Sequence, residues 1–154
     1  MKTSLVLLCL IALTVIFVIV FNNKKPKIKG LYKAKKLMTD NEVEFFGRLI
    51  QALPGYYVFP QVAMGALIQP NRDKDHEDFW KIRGTFSQKI TDFLVCDKTM
   101  KVIAIVELDD KTHDANKDRM RDEMTRQAHY KTIRWESKNK PSIVDITKTI
   151  ISLK

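Results

Sequence analysis

An apolar run that ends in acids is the feature that most constrains how this chain can fold. The run Val102–Val106 is followed at once by Glu107, Leu108 and Asp109. Side chains alternate along a strand, so Glu107 and Asp109 share a face with Ile105. A run that is apolar on both faces indicates a buried strand, where an ionised carboxylate is costly without a cation or a hydrogen-bond donor. We therefore expect Glu107 to have such a partner.

A second apolar strand with an acid near its start lies just upstream. Residues Ile90–Cys96 contain Asp92, and the polar stretch Asp97–Met100 is typical of a hairpin turn. Pairing of the two strands would bring Asp92 close to Glu107 and Asp109, and such a carboxylate cluster is a candidate divalent-cation site. The alternative is that the acids only mark where the strand reaches solvent. That alternative suits Asp109 better than Glu107.

The amino-terminal region predicts a membrane span. Residues 5–21 are apolar apart from Thr14, and the uncharged region around them covers about 30 Å as a helix, enough to cross a bilayer. The rival interpretation, a cleaved signal peptide, needs a small-residue cleavage site that Phe21 and the two asparagines after it do not supply. We expect residues 1–23 to form a transmembrane signal-anchor, with residues 4–21 in contact with lipid.

A cluster of lysines sets the expected orientation of that span. Seven lysines fall in the linker of residues 24–36, whereas only Lys2 and the terminal amine precede the span. The positive-inside rule then predicts a single-pass inner-membrane protein with its N-terminus outside and residues 37–154 in the cytoplasm. The linker lysines are also expected to attract anionic lipid headgroups.

The same lysines account for most of the net charge of +9. Beyond residue 36 the remaining 19 basic residues nearly balance all 18 acids, which leaves +1 on residues 37–154. A nucleic-acid role must therefore depend on a local basic group, and the candidates are Lys117, Arg119, Arg121, Arg126, Lys131 and Arg134. Cys9 lies in the span and Cys96 in a strand, which fits neither a disulfide framework nor a zinc site.

Residues 37–154 are long enough for one domain with one core. Periodicity predicts helices over residues 37–53, 79–86, 116–130 and 141–153, and strands over 56–63, 90–96, 102–110 and 131–135. Thr39 and Glu42 have the spacing of a capping box, and Pro60 suggests that the first strand lies at an edge. In the third helix we expect Met120, Met124 and Ala128 to face inward and Asp122 to pair with Arg126.

This order of elements, with one acid on the second strand and Glu-x-x on the third, resembles the restriction-endonuclease-like (PD-(D/E)xK) superfamily. The resemblance implies an α/β (α+β) fold with an αβββαβ core and a C-terminal helix, here preceded by one transmembrane helix. More narrowly, the chain resembles a bacterial family called domain of unknown function 2726. The matching residues are Leu37–Thr39, Glu42, Phe45–Phe46, Asp92–Lys98, Val106–Asp110, His113–Asp114, Arg121–Asp122 and Ile133–Arg134.

The resemblance implies a metal site. Asp92 and Glu107 would hold Mg²⁺ or Mn²⁺, and Glu42 matches an acid that often completes the site, although a capping role explains it equally well. Asp109 stands where the superfamily usually has its catalytic lysine. Lys111 has the same strand parity as Asp109 and could replace that lysine only if the strand extends so far.

Three further residues receive roles from the resemblance. His113 would act as a base or a phosphate ligand, although a lone exposed histidine is ordinary. Arg121 and Arg134 would contact nucleic-acid phosphate, with salt bridging as the alternative. The chain has no glycine-rich phosphate loop, and no small-molecule cofactor is expected.

These observations together predict a membrane-anchored cytoplasmic hydrolase, a divalent-metal-dependent nuclease acting on DNA or RNA. One alternative is a catalytically inactive module of the same fold that binds nucleic acid or a protein partner at the membrane. A second is a membrane accessory protein whose buried acids serve only structure.

Overall fold

The computed structural model describes residues 10–18, 30–109 and 115–153, without the side chains of residues 115–118. The chain divides into two units, residues 1–35 and 36–154. Residues 10–18 of the first unit are helical, and the rest of the predicted span, 1–9 and 19–23, lies outside the described residues. None of the helices within the described ranges is long and apolar enough to cross a membrane.

The second unit is built on a four-stranded mixed sheet. Its strands are β1 (Tyr57–Ala63), β2 (Ile90–Cys96), β3 (Val102–Asp109) and β4 (Thr132–Glu136). They lie side by side in chain order, with β1, β2 and β3 antiparallel and β4 parallel to β3. β1 is an edge strand, as Pro60 predicts. The Asp97 carboxylate closes the β2–β3 hairpin by accepting hydrogen bonds from the backbone N–H groups of Thr99 and Lys101.

Four α-helices accompany the sheet. They are α1 (Asp40–Ala52), α2 (Phe79–Phe86), α3 (Ala115–Gln127) and α4 (Ile143–Ile151), and a short 3₁₀-helix at Met64–Ala66 follows β1. The fold is thus α+β with a mixed sheet and a C-terminal helix, and the predicted order of the elements is confirmed.

The helix starts are set by capping side chains. Thr39 caps α1, and the Glu42 carboxylate accepts the Thr39 backbone N–H at 2.5 Å, so the predicted capping box is confirmed. The prediction that α1 begins at Leu37 was wrong. The Thr39 backbone is extended, so the helix starts at the next residue, Asp40. Ser142 caps α4 in the same way through the Asp145 backbone N–H, which moves the start of that helix from Pro141 to Ile143.

One face of the sheet carries the main apolar core. Helices α1 and α4 pack on this face, which we call the helix-pair face. Its fully buried side chains include Phe45, Leu49, Phe93, Val95, Val106, Ile146 and Ile150. Phe45 meets Phe93 and Trp135 edge to face, with ring centroids 5.7 and 5.6 Å apart. Burial of this kind is the dominant favourable term in folding.

The opposite face, which we call the α3 face, has a small apolar cluster of Leu94, Cys96 and Ile105. Thr125 of α3 is buried beside it, and its hydroxyl lies 3.0 Å from that of Thr132 on β4. The prediction that Met120 points inward was wrong, since Met120 is 59% exposed. The inward positions of α3 are taken by Arg121 and Thr125, one helical turn apart, because the strand surface below them carries polar groups.

The expected pair of Asp122 with Arg126 was also wrong. Asp122 accepts a hydrogen bond from Arg134 of β4 at 2.8 Å, and Arg126 instead binds Glu123 at 2.6 Å. Asp122 turns toward the sheet, where a strand residue offers a less exposed partner than a neighbour on the helix surface.

Candidate functional site

Asp92 and Glu107 come from adjacent antiparallel strands at one end of the sheet. The last paired residues are Phe93 and Val106, so Asp92 and Glu107 occupy the next opposing positions on the α3 face. Asp92 Oδ2 accepts the backbone N–H of Leu108 at 2.8 Å. The Asp92 carboxylate therefore takes the place of a main-chain bond where the two strands stop pairing.

Glu107 is the most deeply buried charged group in the described part of the chain, with 2% of its surface exposed. Arg121 Nη1 donates to Glu107 Oε2 at 3.1 Å, which confirms that Glu107 has a donor. Glu107 Oε1 is buried and has no hydrogen-bond partner among the described residues. Burial and then the nearby charge of Asp92 raise the pKa of Glu107 to about 8, although the Arg121 charge opposes the rise.

The environment of Asp92 links it to a third acid. Burial raises the pKa of Asp92, the Leu108 N–H bond opposes that rise, and the charge of Glu42 adds to it. Glu42 lies on the first turn of α1, so a helix acid adds its charge to the surroundings of the strand acid Asp92. We call Asp92, Glu107 and Glu42 the acidic site.

Asp109 and Arg134 form a second charged group beside the acidic site. Arg134 Nη1 lies 3.0 and 3.1 Å from the two Asp109 carboxylate oxygens, and Arg134 Nη2 binds Asp122. Glu107 pairs in register with Arg134 across the parallel strands. The charges of two guanidinium groups, those of Arg121 and Arg134, thus partly oppose the rise in the pKa of Glu107. Both arginines are salt-bridged here, in agreement with the alternative interpretation of them.

Glu42 serves the helix cap and also contacts the sheet. Its Oε2 closes the capping box, while its Oε1 accepts a hydrogen bond from Gln61 Nε2 of β1 at 3.3 Å. Gln61 was not among the predicted residues, and the only local signal for it is Pro60 in the preceding position.

Two of the predicted site residues lie outside the described residues, namely Lys111 and His113. Within the described ranges, no three His, Cys, Asp or Glu side chains are grouped so that they could hold a metal ion together. Arg121 occupies one oxygen of Glu107, and the Leu108 N–H occupies one oxygen of Asp92. Asp92 and Glu107 occupy opposing strand positions, but one oxygen of each already accepts a hydrogen bond from a protein donor.

An open cavity of about 830 Å³ lies between the end of α3 and β4, and its lining includes none of the three acids of the acidic site. Arg126, Lys131 and Arg134 contribute to its lining, with Asp122 as the one acid among the lining residues. The lining of this cavity therefore carries more basic than acidic side chains.

Comparison with known protein families gives a match over most of the chain. A family model described as "Protein of unknown function (DUF2726)" covers residues 34–147, most of the chain. No curated protein and no solved structure matches. The chain therefore belongs to the DUF2726 family.

Proposed function

We propose that this protein is a membrane-anchored phosphodiesterase of the restriction-endonuclease-like superfamily, dependent on Mg²⁺ or Mn²⁺ and acting on DNA or RNA. Glu107 is the observation that carries the proposal. A carboxylate with only 2% exposure, one unpartnered oxygen and a second acid beside it is costly to retain for structure alone. Perturbed carboxylates of this kind are concentrated at functional sites.

The chemistry of the residues fits a hard divalent cation. Carboxylate oxygens are the preferred ligands of Mg²⁺ and Mn²⁺, and Glu107 Oε1 has no competing donor among the described residues. Asp92 and Glu107 would hold the ion, with Glu42 as a further ligand. A bound cation would polarise the phosphodiester and lower the pKa of a water nucleophile. Burial is the main cause of the raised pKa values of Asp92 and Glu107, and nearby acids add to it. A bound cation would relieve that repulsion.

Two arginines could supply part of the positive charge that the superfamily's catalytic lysine would provide. Arg121 and Arg134 place positive charge at Glu107 and Asp109, where it can stabilise a phosphate in the transition state. A guanidinium stays protonated and donates hydrogen bonds only, so neither arginine can act as the general base. Lys111 and His113 remain the proposed candidates for proton transfer.

A basic surface supports nucleic acid as the substrate. Arg126, Lys131 and Arg134 line the cavity between α3 and β4, and phosphate contacts from such side chains position a nucleic acid without reading its sequence. We propose that the apolar span and its lysines hold this surface at the cytoplasmic side of the inner membrane.

A catalytically inactive binding module of the same fold is the second candidate. Its support is that Arg121 binds Glu107 and Arg134 binds Asp109, an arrangement in which protein cations take the place of a metal ion. Asp109 in the lysine position favours it as well.

A cleavage assay tests the two candidates. The full-length chain would be incubated with single- and double-stranded DNA and RNA in Mg²⁺, Mn²⁺ or a chelator. We expect cleavage that requires metal and falls at least about 100-fold in Glu107→Gln, since this change removes a ligand charge. Glu136→Gln is the matched control, because Glu136 is an exposed acid at the end of β4. Metal binding without cleavage of any substrate would favour the binding module. The absence of both metal binding and cleavage would contradict the phosphodiesterase proposal.

A further inference from the structure

Helix α2 presents a tryptophan to solvent. Trp80 lies on its first turn and is 65% exposed, whereas Phe79 and Phe86 of the same helix are buried. The rings of Phe79 and Trp80 meet edge to face, with centroids 5.1 Å apart and an interplanar angle of 83°. Aromatic pairs prefer this geometry. The buried Phe79 ring therefore orients the Trp80 ring, while most of the Trp80 surface remains in water.

A glycine leaves the Trp80 ring uncovered from the following turn. Gly84 lies four residues after Trp80, and a Cβ added there would meet nothing within 4 Å. Its backbone is not left-handed, so neither packing nor conformation requires glycine inside a helix, where alanine is more favourable. Helical side chains lean back over the preceding turn, so a larger residue at position 84 would cover part of Trp80.

The charged side chains of α2 are all basic. The helix carries Lys81 and Arg83 and no acid, and neither side chain forms an ion pair with a described residue. The loop of residues 70–78 before it has two basic and four acidic residues, so the excess positive charge lies on the helix. Cations beside an exposed aromatic ring suit single-stranded nucleic acid, whose phosphates contact the cations while a base stacks on the ring.

Helix α2 also leads into the strand that bears Asp92. Only residues 87–91 separate the helix from Asp92. The Lys89 carbonyl accepts the Met64 N–H at 2.8 Å, which ties the end of α2 to the segment after β1. The chain therefore passes from α2 into β2 at the end of the sheet where Asp92 lies.

A lipid surface is the other partner that an exposed tryptophan can suit. Membrane binding of a helix scales with the apolar area that it presents. In α2 the two phenylalanines are buried in the protein, and the exposed large apolar side chains are Trp80 and Ile82, the latter only 37% exposed. This small apolar area beside unpaired cations favours nucleic acid.

We propose that Trp80, with Lys81 and Arg83, forms a stacking site for an unpaired base, and that the nucleic acid bound by this protein is therefore single-stranded. Bases inside a duplex stack on one another and must be unpaired before an aromatic side chain can stack on them. The inference rests on nucleic acid as the substrate in the proposed function, and it does not depend on a metal ion.

Binding of labelled strands to the full-length chain tests the site. Fluorescence anisotropy would be recorded with short fluorescein-labelled DNA and RNA, single-stranded and duplex, in EDTA so that no metal-dependent cleavage occurs. We expect Trp80→Ala to raise the dissociation constant for single strands at least about fivefold without lowering the melting temperature, and Trp80→Phe to retain most of the affinity. Replacing Lys81 and Arg83 by glutamine should reduce the slope of log affinity against log salt by about 0.7 per residue.

Two helical glycines give a matched comparison. Gly84→Leu places a side chain over Trp80, and Gly47→Leu makes the same change in α1, where a Cβ would also meet nothing within 4 Å. Leucine favours the helix at both positions, so neither variant should lose stability. We expect only Gly84→Leu to weaken single-strand binding. Single strands should also quench the wild-type tryptophan emission but not that of Trp80→Phe, whose remaining Trp135 packs against Phe45 in the core.

Unchanged single-strand affinity in Trp80→Ala, or equal losses for single strands and duplexes, would overturn the inference. A blue shift of Trp80 emission in vesicles that contain phosphatidylglycerol, without quenching by any strand, would place Trp80 at a membrane surface and overturn it as well. Stacking without metal-dependent cleavage would contradict the phosphodiesterase alone. Cleavage together with unchanged affinity in Trp80→Ala would contradict the stacking site alone.

Discussion

The two faces of the sheet differ in what they bury: the helix-pair face buries apolar side chains, and the α3 face buries a charged pair as well. On the helix-pair face Phe45, Phe93 and Ile146 are fully buried among other apolar side chains. On the α3 face a much smaller apolar cluster adjoins Glu107, whose contact with Arg121 leaves one buried oxygen of Glu107 and the Arg121 Nε without partners among the described residues. Apolar burial stabilises the first face, whereas unpaired buried polar atoms cost free energy on the second. The α3 face retains that cost, and for this reason we propose it as the functional face.

The largest expected effect concerns the pH dependence of the α3 face. The pKa of Glu107 is about 8 in the folded chain, above the ordinary 4.5, so the folded state binds this proton more tightly than the unfolded state. The resulting stabilisation is complete below pH 4.5 and is lost as the pH rises through 8. At about 1.4 kcal/mol per pKa unit, the wild type should lose up to about 5 kcal/mol across this range relative to Glu107→Gln. Urea unfolding of both proteins from pH 5 to 9 measures it, and parallel pH profiles would contradict the burial of an ionisable Glu107.

The helix-pair face should respond to loss of volume. Phe45→Ala removes a fully buried ring that contacts Phe93 and Trp135, and we expect the free energy of unfolding to fall by about 3–5 kcal/mol. Trp80 is 65% exposed, so Trp80→Ala serves as an aromatic control with an expected loss within about 0.5 kcal/mol. Urea titrations compare the two variants. Similar losses in both would mean that the core does not lie on this face.

The charged group at the edge of the α3 face should contribute least. Arg134 binds Asp109 and Asp122 and is 22% exposed, so Arg134→Ala should cost about 1 kcal/mol and less at high salt. Arg126 is 73% exposed in its pair with Glu123, and Arg126→Ala should cost no more than about 0.5 kcal/mol. Unfolding titrations at low and high salt measure both values. Equal losses in the free energy of unfolding for the two variants would show that the ion pairs of Arg134 stabilise the fold no more than an exposed pair.

The apolar strands and their hairpin were predictable because their signals are local. Alternation in Ile90–Cys96 and Val102–Asp109, with a turn between them, was enough to place Asp92 opposite Glu107. Thr39 likewise predicted its helix cap, since a capping box depends on four consecutive residues.

Long-range contacts account for what the sequence did not predict. Met120 and Met124 are four residues apart, a spacing typical of the buried side of a helix. The buried Glu107 instead requires Arg121 on the inward face of α3, and Met120 is exposed. The contact of Arg134 with Asp109 depends on the register of the parallel strands β3 and β4, which no local pattern encodes. Gln61 has a left-handed backbone with a φ of 55° and donates a hydrogen bond to Glu42 of α1, and no local pattern predicts this contact.

Binding of a divalent cation to the full-length chain tests the central claim most directly. Calorimetry and thermal unfolding would be recorded with MnCl₂ and MgCl₂ at several pH values up to 8. The account predicts stabilisation of about 2.7 kcal/mol at metal concentrations 100-fold above the dissociation constant, absent in Glu107→Gln. It also predicts tighter binding as the pH rises toward 8, because Glu107 must lose its proton to bind the ion. No heat and no thermal shift at millimolar metal, or an equal shift in Glu107→Gln, would contradict it.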